Sequence, residues 1–329
     1  MRAKDLTDLL SRTIPAKLPV LIKGAPGVGK TDLVTQAAIA AGAELILTHP
    51  VVSDPTDFKG LPAIVNGKAE FLPFGDLNAL VQAKKLTVCF LDDLGQAPAV
   101  VQAAAMQLIL ARRVNGHRVS DKVVFIAATN RREDKAGVTG ILEPVKSRFA
   151  TIIELTVNIE DWTKWALENG VPTEVVAFIR FRPTLLLDEN KPTNDIVNRP
   201  SPRTVTYVGR LLKAGIDVFE AIAGAVGEGF AAEFIGFLKV WQSLPDIDEI
   251  LENPTTAPVP SEPAALYAVS TALGTKIGAK TATAIMQYVT RMPDEFTVLT
   301  LRDCLRKYPA AANNAAYVSW ATKNQAILL

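Results

Sequence analysis

The stretch that most constrains this chain is Pro19 to Thr31, PVLIKGAPGVGKT. An apolar run of strand length, Pro19 to Ile22, leads into Gly24, Ala25, Pro26, Gly27, Val28, Gly29, Lys30 and Thr31, with Asp32 next. This is the GxxxxGK[ST] phosphate loop placed between a strand and a helix. Gly24, Gly27 and Gly29 allow backbone angles that a Cβ would forbid, so successive N–H groups can converge on phosphate oxygens at the positive end of the following helix. Lys30 then reaches the β- and γ-phosphates, and the Thr31 hydroxyl can ligate magnesium. Before a phosphate arrives, the Lys30 ammonium is expected to be solvated. A glycine-rich turn made only for tight packing is the bland alternative, and four fixed positions in the right context weigh against it. Nucleotide binding is the starting point.

Strand and helix alternate through the first 157 residues. Residues 1–18 read as an amphipathic helix with Leu6, Leu9 and Leu10 on one face, and Thr31 to Ala41 as an Ala-rich helix stopped by Gly42. Glu44–Thr48, Leu86–Leu91, Lys122–Thr129 and Thr151–Leu155 are near-continuous apolar or β-branched runs, the pattern of parallel strands buried on both faces. With Pro19–Lys23 they predict five strands in an open α/β sheet with helices on both faces. Two segments interrupt the alternation. Leu61–Gly75 carries Asn66-Gly67, and Arg112–Lys122 carries Asn115-Gly116 after a helix over Ala97–Ala111; both read as β-hairpins.

Beyond residue 157 the strand pattern ends. Helices are expected over 160–169, 173–180, 202–214, 217–226 and 231–244, with Phe181–Ser201 as a loop. The proline-rich Asn253–Pro263 reads as a linker to a small bundle built around 264–276, 280–292, 300–307 and 310–322. The expected division is therefore 1–157 as the nucleotide-binding domain, 158–252 as a helical lid, and 253–329 as linker and tail. No apolar run reaches the ~18 residues needed to span a bilayer, and MRAKDLTDLLSR is not signal-like, so a cytoplasmic protein without a membrane partner is expected. The two cysteines, Cys89 and Cys304, sit in apolar contexts and do not suggest a metal site or disulfide framework. His49 and His117 stand apart and read as solvated or hydrogen-bonded loop residues. A net charge of +1 gives no electrostatic argument for nucleic acid.

A phosphate loop alone does not separate kinases, GTPases, transporters and motors; a second carboxylate site narrows the choice. Val88–Leu91 followed by Asp92 and Asp93 is a Walker B pattern, placing two acids at the carboxyl end of a buried strand, where ligands bind in open α/β sheets. Asp92 would hold magnesium through water and Asp93 would polarise the attacking water. Helix capping by the paired acids is the competing account, weakened by the neighbouring phosphate loop.

At these residues the chain resembles the MoxR-like AAA+ ATPases, over most of residues 18–215. FIAATN, ending at Asn130, resembles sensor 1, whose amide helps place the hydrolytic water. VKSRF resembles the arginine-finger segment, with Arg148 presented to a neighbouring subunit's γ-phosphate. SPR resembles sensor 2, with Arg203 opening a lid helix. DPTDFKG and the first hairpin resemble the group's insertion in helix 2, and the second hairpin its pre-sensor 1 insertion. The resemblance implies ATP and Mg2+ as cofactors, a homo-oligomeric ring, expected as a hexamer, and work as a motor or chaperone-like remodeller on a protein client. It also implies a partner bearing a von Willebrand factor A domain. One departure stands out: the family usually has Glu where this chain has Asp93, and an acid shorter by one methylene bears on the rate, since a displacement of ~1 Å can cost ~100-fold.

For the remaining residues the bland accounts are a surface ion pair for Arg148, a solvated first-turn residue for Arg203 and, for Arg131 and Arg132, a solvated basic turn set against a role as second trans arginines. Trp162, Trp165, Trp241 and Trp320 read as packing residues. Two other functions stay open beside an ATP-hydrolysing ring: a nucleotide-gated assembly module with little turnover, which Asp93 keeps in view, and a DNA-acting motor or loader.

Overall fold

The computed structural model describes residues 1–134, 140–188 and 195–324, so residues 189–194 of the expected loop and 325–329 of the expected tail lie outside the described residues. The chain falls into two compact units, one built from Met1–Asp161 and the other from Trp162–Asp188 together with residues 196–324.

In the first unit the elements run α1 (Ala3–Thr13), β1 (Val20–Lys23), α2 (Lys30–Ala40), β2 (Glu44–Thr48), α3 (Pro55–Lys59), β3 (Leu61–Val65), β4 (Lys68–Leu72), α4 (Gly75–Gln82), β5 (Thr87–Leu91), α5 (Ala99–Ala111), β6 (Arg113–Val114), β7 (His117–Arg118), β8 (Val123–Thr129), α6 (Glu143–Lys146) and β9 (Thr151–Glu154). The five expected strands form one parallel sheet in the order β2-β5-β8-β1-β9. Period-two alternation divides their side chains between two cores. Val20, Ile22, Val88, Phe90, Val124, Ile126 and Ala128 pack with Leu6 and Leu10 of α1 and Val34 and Ala38 of α2. Leu21, Cys89, Leu91, Val123, Phe125 and Ala127 face the other way, onto Leu77 and Leu80 of α4 and Val101, Ala105 and Leu108 of α5. Each such large apolar side chain contributes about 1.5–3 kcal/mol when buried, which fixes both register and layer order. Burial also pushes the Cys89 thiol well above its ordinary pKa, with the Asp76 charge adding to the effect, so this cysteine is a core residue.

Both hairpins are present, β3 with β4 and β6 with β7. Asn66 and Gly67 (φ 52° and 75°) and Asn115 and Gly116 (φ 44° and 86°) supply the paired positive φ of a type I′ turn. The second hairpin is joined to the first and to α3: a His117 ring nitrogen bonds the Phe71 carbonyl and the Asn115 amide donates to the Lys59 carbonyl at 2.9 Å. His117 is therefore a hydrogen-bonded strand residue, where the sequence suggested a loop. Helix α4 was not expected, because only Leu77, Leu80 and Val81 mark its buried side.

In the second unit, α7 (Ile159–Glu168) leads in at the boundary, followed by α8 (Thr173–Phe181), α9 (Pro202–Lys213), α10 (Phe219–Val226), α11 (Glu228–Gln242), α12 (Ile247–Glu252), α13 (Pro263–Lys276), α14 (Ala282–Val289), α15 (Asp294–Lys307) and α16 (Ala315–Lys323). Helix α8 is buried from Val175 through Arg180, with Phe178 meeting Phe230 and Phe234 edge-on at 5.1 Å. The segment 253–263 is not an independent spacer. Ala257 is buried, the Pro254 carbonyl accepts from Arg291 and the Pro258 carbonyl from the Tyr288 hydroxyl, each at 2.8 Å. These bonds fasten the prolines to α14 and the residues just after it, and the tail helices belong to the same unit as α8. Among the described residues no helix is long and apolar enough to cross a membrane.

One buried ion pair ties α8 to α15. Arg180 Nη1 lies 2.6 Å from Asp303 Oδ2, both side chains at most 5% exposed, and also donates to Thr271 Oγ1 at 3.1 Å. Gly274 permits this approach, since a Cβ there would sit 3.0 Å from the Asp303 Cβ. Removing one partner leaves an uncompensated buried charge, so Asp303→Ala should destabilise the helical unit by about 3–5 kcal/mol. The double variant Arg180→Met/Asp303→Leu should recover most of that. Denaturant titration of the three proteins checks it; an unchanged midpoint in Asp303→Ala contradicts it.

Candidate nucleotide-binding and hydrolysis site

The strand order brings three distant segments to one edge. Strands β5, β8 and β1 are neighbours, so their carboxyl ends place Asp92 and Asp93, Asn130, and the Gly24–Thr31 loop side by side. The Gly24 N–H donates to the Thr129 carbonyl at 3.2 Å and the Asp92 N–H to the Thr48 carbonyl at 2.9 Å, fixing both turns to adjacent strands. Gly27 (φ 74°) and Gly29 (φ 96°) adopt the left-handed angles the loop needs. Gly24 is constrained differently: a Cβ there would lie 3.0 Å from the Leu155 carbonyl oxygen. Helix α2 begins at Lys30, so its positive end opens onto the loop.

The expectation of a solvated ammonium at Lys30 is corrected. Lys30 is 6% exposed, and its Nζ donates to the Gly24 carbonyl (3.0 Å), the Ala25 carbonyl (2.9 Å) and Asn130 Oδ1 (2.7 Å). A buried ammonium must be hydrogen-bonded, and the acceptors within reach are loop carbonyls and the side-chain amide at the end of β8. Asn130 Nδ2 in turn lies 3.4 Å from Asp93 Oδ1. Asn130 thus joins the phosphate-loop cation to the candidate catalytic acid.

Thr31 Oγ1 donates to Asp92 Oδ2 at 2.6 Å, and Asp92 Oδ1 accepts from the Asp93 N–H at 3.0 Å. A hydroxyl and a carboxylate oxygen this close form a hard-oxygen pair that fits adjacent positions on magnesium. Among the described residues no cluster of three or more His, Cys, Asp and Glu side chains could hold a metal. Thr31 and Asp92 are the side chains here that could hold magnesium, with phosphate oxygens and water completing its shell.

Asp93 departs from the strand. Its φ of 57° and ψ of 33° are left-handed, a conformation that Asp tolerates better than most residues, and it opens a 3-10 turn over Leu94–Gln96. Two residues of this turn went unnoticed in the sequence. Gln96 Nε2 donates to Asp93 Oδ1 at 2.7 Å. Gly95 packs against β8 so closely that a Cβ would sit 2.1 Å from Thr129 Oγ1. A glycine two residues after paired acids is the signal that could have revealed the second.

The other candidates make none of these hydrogen bonds. Asp32 is exposed in the first turn of α2, where a carboxylate favours the positive helix end. Arg148 lies just before the amino end of β9, at the opposite end of the strands from Lys30, and donates to the Pro144 carbonyl. Arg203 is exposed in the first turn of α9, which Ser201 and Thr204 cap reciprocally, and belongs to the helical unit. Arg131 is paired with Asp134 at 2.9 Å and lies 3.7 Å from Glu154; the hydrogen bond to Asp134 is the main cause that raises its pKa. It is not a solvated basic turn residue. A cavity of about 340 Å3 lined by Thr48, Phe58, Leu77, Cys89, Leu108 and Phe125, among others, includes none of Lys30, Thr31, Asp92, Asp93 or Asn130.

Comparison with known proteins identifies one domain. Residues 19–149 match the family model described as AAA domain (dynein-related subfamily), and the loop, both acids, Asn130 and Arg148 lie within the matched residues. No curated protein matches the chain. Among solved structures, the chain is similar to the RuvB Holliday junction branch migration motor of Thermotoga maritima, at 18% identity over 83% of this chain and 80% of that one, with a TM-score of 0.43. Two variants of that protein match at 16% and 17% identity, covering 82% and 88% of this chain and 81% and 87% of theirs, with TM-scores of 0.42 and 0.41.

The tightness at Gly95 has a direct consequence. Gly95→Ala should push Thr129 and the adjoining Asn130 out of place, lowering stability by about 1–3 kcal/mol. Adding Thr129→Ala removes the Oγ1 clash but leaves a Cβ contact of 3.2 Å, so thermal melting should show partial recovery. A Gly95→Ala protein that melts like the parent contradicts this packing.

Proposed function

We propose that this chain binds Mg2+-ATP at the carboxyl edge of β1, β8 and β5 and hydrolyses it, working as a ring-forming, MoxR-like AAA+ remodeller of a protein partner. The observation that carries the reading is the connected set Lys30–Asn130–Asp93 beside Thr31–Asp92. Lys30, Asn130, Thr31 and Asp92 are residue types that phosphoryl transfer uses in those places, and Asp93 supplies the second carboxylate on a shorter side chain.

In this reading the loop N–H groups and Lys30 hold the β- and γ-phosphates, and Lys30 exchanges its carbonyl and amide acceptors for phosphate oxygens. Magnesium, when bound at Thr31 and Asp92, neutralises charge on the phosphates. Asp93 accepts a proton from the attacking water as the water oxygen bonds to the γ-phosphorus. The bond from that phosphorus to the β,γ-bridging oxygen breaks, leaving ADP and inorganic phosphate. Asn130, released by Lys30, orients the water.

Two observations support the ring and the client. Arg148 lies at the far end of the strands from Lys30, as a residue serving a neighbouring subunit would. Leu61, Ile64 and Phe71 of the β3–β4 hairpin are exposed, Ile64 at 76%, which suits contact with a protein. Arg203 is the sensor 2 residue in this scheme.

Asp93→Asn should keep ATP bound while stopping turnover. An arginine finger can be worth ~1,000-fold or more in rate, so Arg148→Ala should bind ATP yet hydrolyse it poorly. Mixing Arg148→Ala with Lys30→Ala should restore part of the activity at interfaces that pair an intact loop with an intact finger. Activity strictly linear in protein concentration down to the monomer range, with normal turnover by Arg148→Ala, would sink the ring mechanism.

A further inference from the structure

The Asp93 carboxylate stands on a single methylene, and two side-chain amides approach it. The left-handed backbone at Asp93 turns the chain into the 3-10 turn Leu94–Gln96, whose Gln96 N–H bonds back to the Asp93 carbonyl at 3.0 Å. This brings the Gln96 side chain over the acid, with its amide nitrogen 2.7 Å from Oδ1. Asn130 Nδ2 approaches the same oxygen from β8, at 3.4 Å. Both donors share Oδ1, so the carboxylate is gripped on one side and Oδ2 remains to take the water proton. Gln96 Oε1 is buried and has no hydrogen-bond partner among the described residues, a second acceptor within the same turn.

We propose that Gln96 is a positioning residue for ATP hydrolysis: its long amide sets the reach of the short Asp93 carboxylate toward the attacking water. The proposal rests on the assignment of Asp93 as the group that polarises water. Combined side-chain length is the quantity that matters. An Asp at 93 with a Gln at 96 spans the same number of methylenes as a Glu at 93 with an Asn at 96. A hydrogen bond to an ionised carboxylate also holds it where thermal motion would otherwise spread its position. The competing account is that Gln96 merely ties down its own turn, in which case its loss would affect folding and nucleotide binding along with rate, and length exchange would have no special effect.

The test is steady-state ATPase kinetics with a direct measurement of ATP affinity on the full chain. Gln96→Leu keeps the side-chain bulk and removes the amide; kcat should fall about 10- to 100-fold, the value of a hydrogen bond to a charged group, while ATP affinity stays within about twofold. Gln96→Asn and Asp93→Glu should each lower kcat by about tenfold or more, through a gap in one and crowding in the other. The exchange Asp93→Glu/Gln96→Asn should return kcat to within about threefold of the parent, far above the product of the two single effects. Thermal melts of the four variants separate misfolding from misplacement, and the exchange variant keeps the test decisive if Gln96→Leu folds poorly. An unchanged kcat in Gln96→Leu, or single effects that simply multiply in the double variant, overturns the proposal and leaves the Asp93 assignment standing. Full turnover by Asp93→Asn, or no turnover by a parent protein that binds ATP, would instead bring down the assignment itself and the proposal with it.

Discussion

The Lys30 ammonium is the constraint on which the nucleotide edge depends. Its contacts run to the carbonyls of Gly24 and Ala25 and to the side chain of Asn130, so one cation holds the loop closed on itself and ties it to the neighbouring strand. A buried charge of this kind is tolerated only while acceptors surround it. Phosphate oxygens are better acceptors for an ammonium than neutral carbonyls, because the bond becomes charge-assisted on both sides. The acceptors that stabilise Lys30 without nucleotide are therefore those a nucleotide can displace. Asn130 is the one whose release carries a consequence, since its other amide atom lies toward Asp93.

The sheet makes this possible by topology. Asp92, Asn130 and Lys30 are far apart along the chain, yet β8 lies between β5 and β1, so their ends meet without any long excursion of the backbone. The two cores that press on the sheet, one from α1 and α2 and one from α4 and α5, hold those strand ends in register. Rigidity at the edge is inherited from burial of alternating residues such as Val88, Cys89, Phe90 and Leu91, while the β3–β4 hairpin, with exposed residues and a hydrogen bond to the β6–β7 hairpin, lies outside both cores. The helical unit also coheres by apolar burial, with Val269, Leu273, Ile285, Met286 and Leu301 in one core and phenylalanines of α8 and α11 packed edge-on, and adds the buried Arg180–Asp303 pair.

Much of the first unit was legible because its signals are local and strong. The phosphate loop has fixed spacing, the parallel strands are apolar runs that nothing else explains, and each Asn-Gly pair demands a left-handed turn. What escaped reading depends on contacts between segments. The burial of Lys30 follows from Asn130, a hundred residues away, and Gln96 becomes meaningful only once Asp93 is seen to leave the strand in a left-handed conformation. Helix α3 was hidden inside DPTD, although Asp54 and Asp57 form a reciprocal cap around Pro55 there. The proline-rich 253–263 was read by composition as a spacer; its carbonyls, which a proline keeps while losing its N–H, are what Arg291 and Tyr288 use to bind it down.

The central claim is that Lys30 exchanges its internal acceptors for phosphate when nucleotide binds, and a crystal structure with magnesium and a non-hydrolysable ATP analogue measures it most directly. The account predicts Lys30 Nζ within hydrogen-bonding distance of the terminal phosphate oxygens, its bond to Asn130 Oδ1 broken, and the ion on Thr31 and Asp92. A bound nucleotide that leaves Lys30 on Gly24, Ala25 and Asn130, or that lies away from the carboxyl edge of β1, β8 and β5, would contradict it.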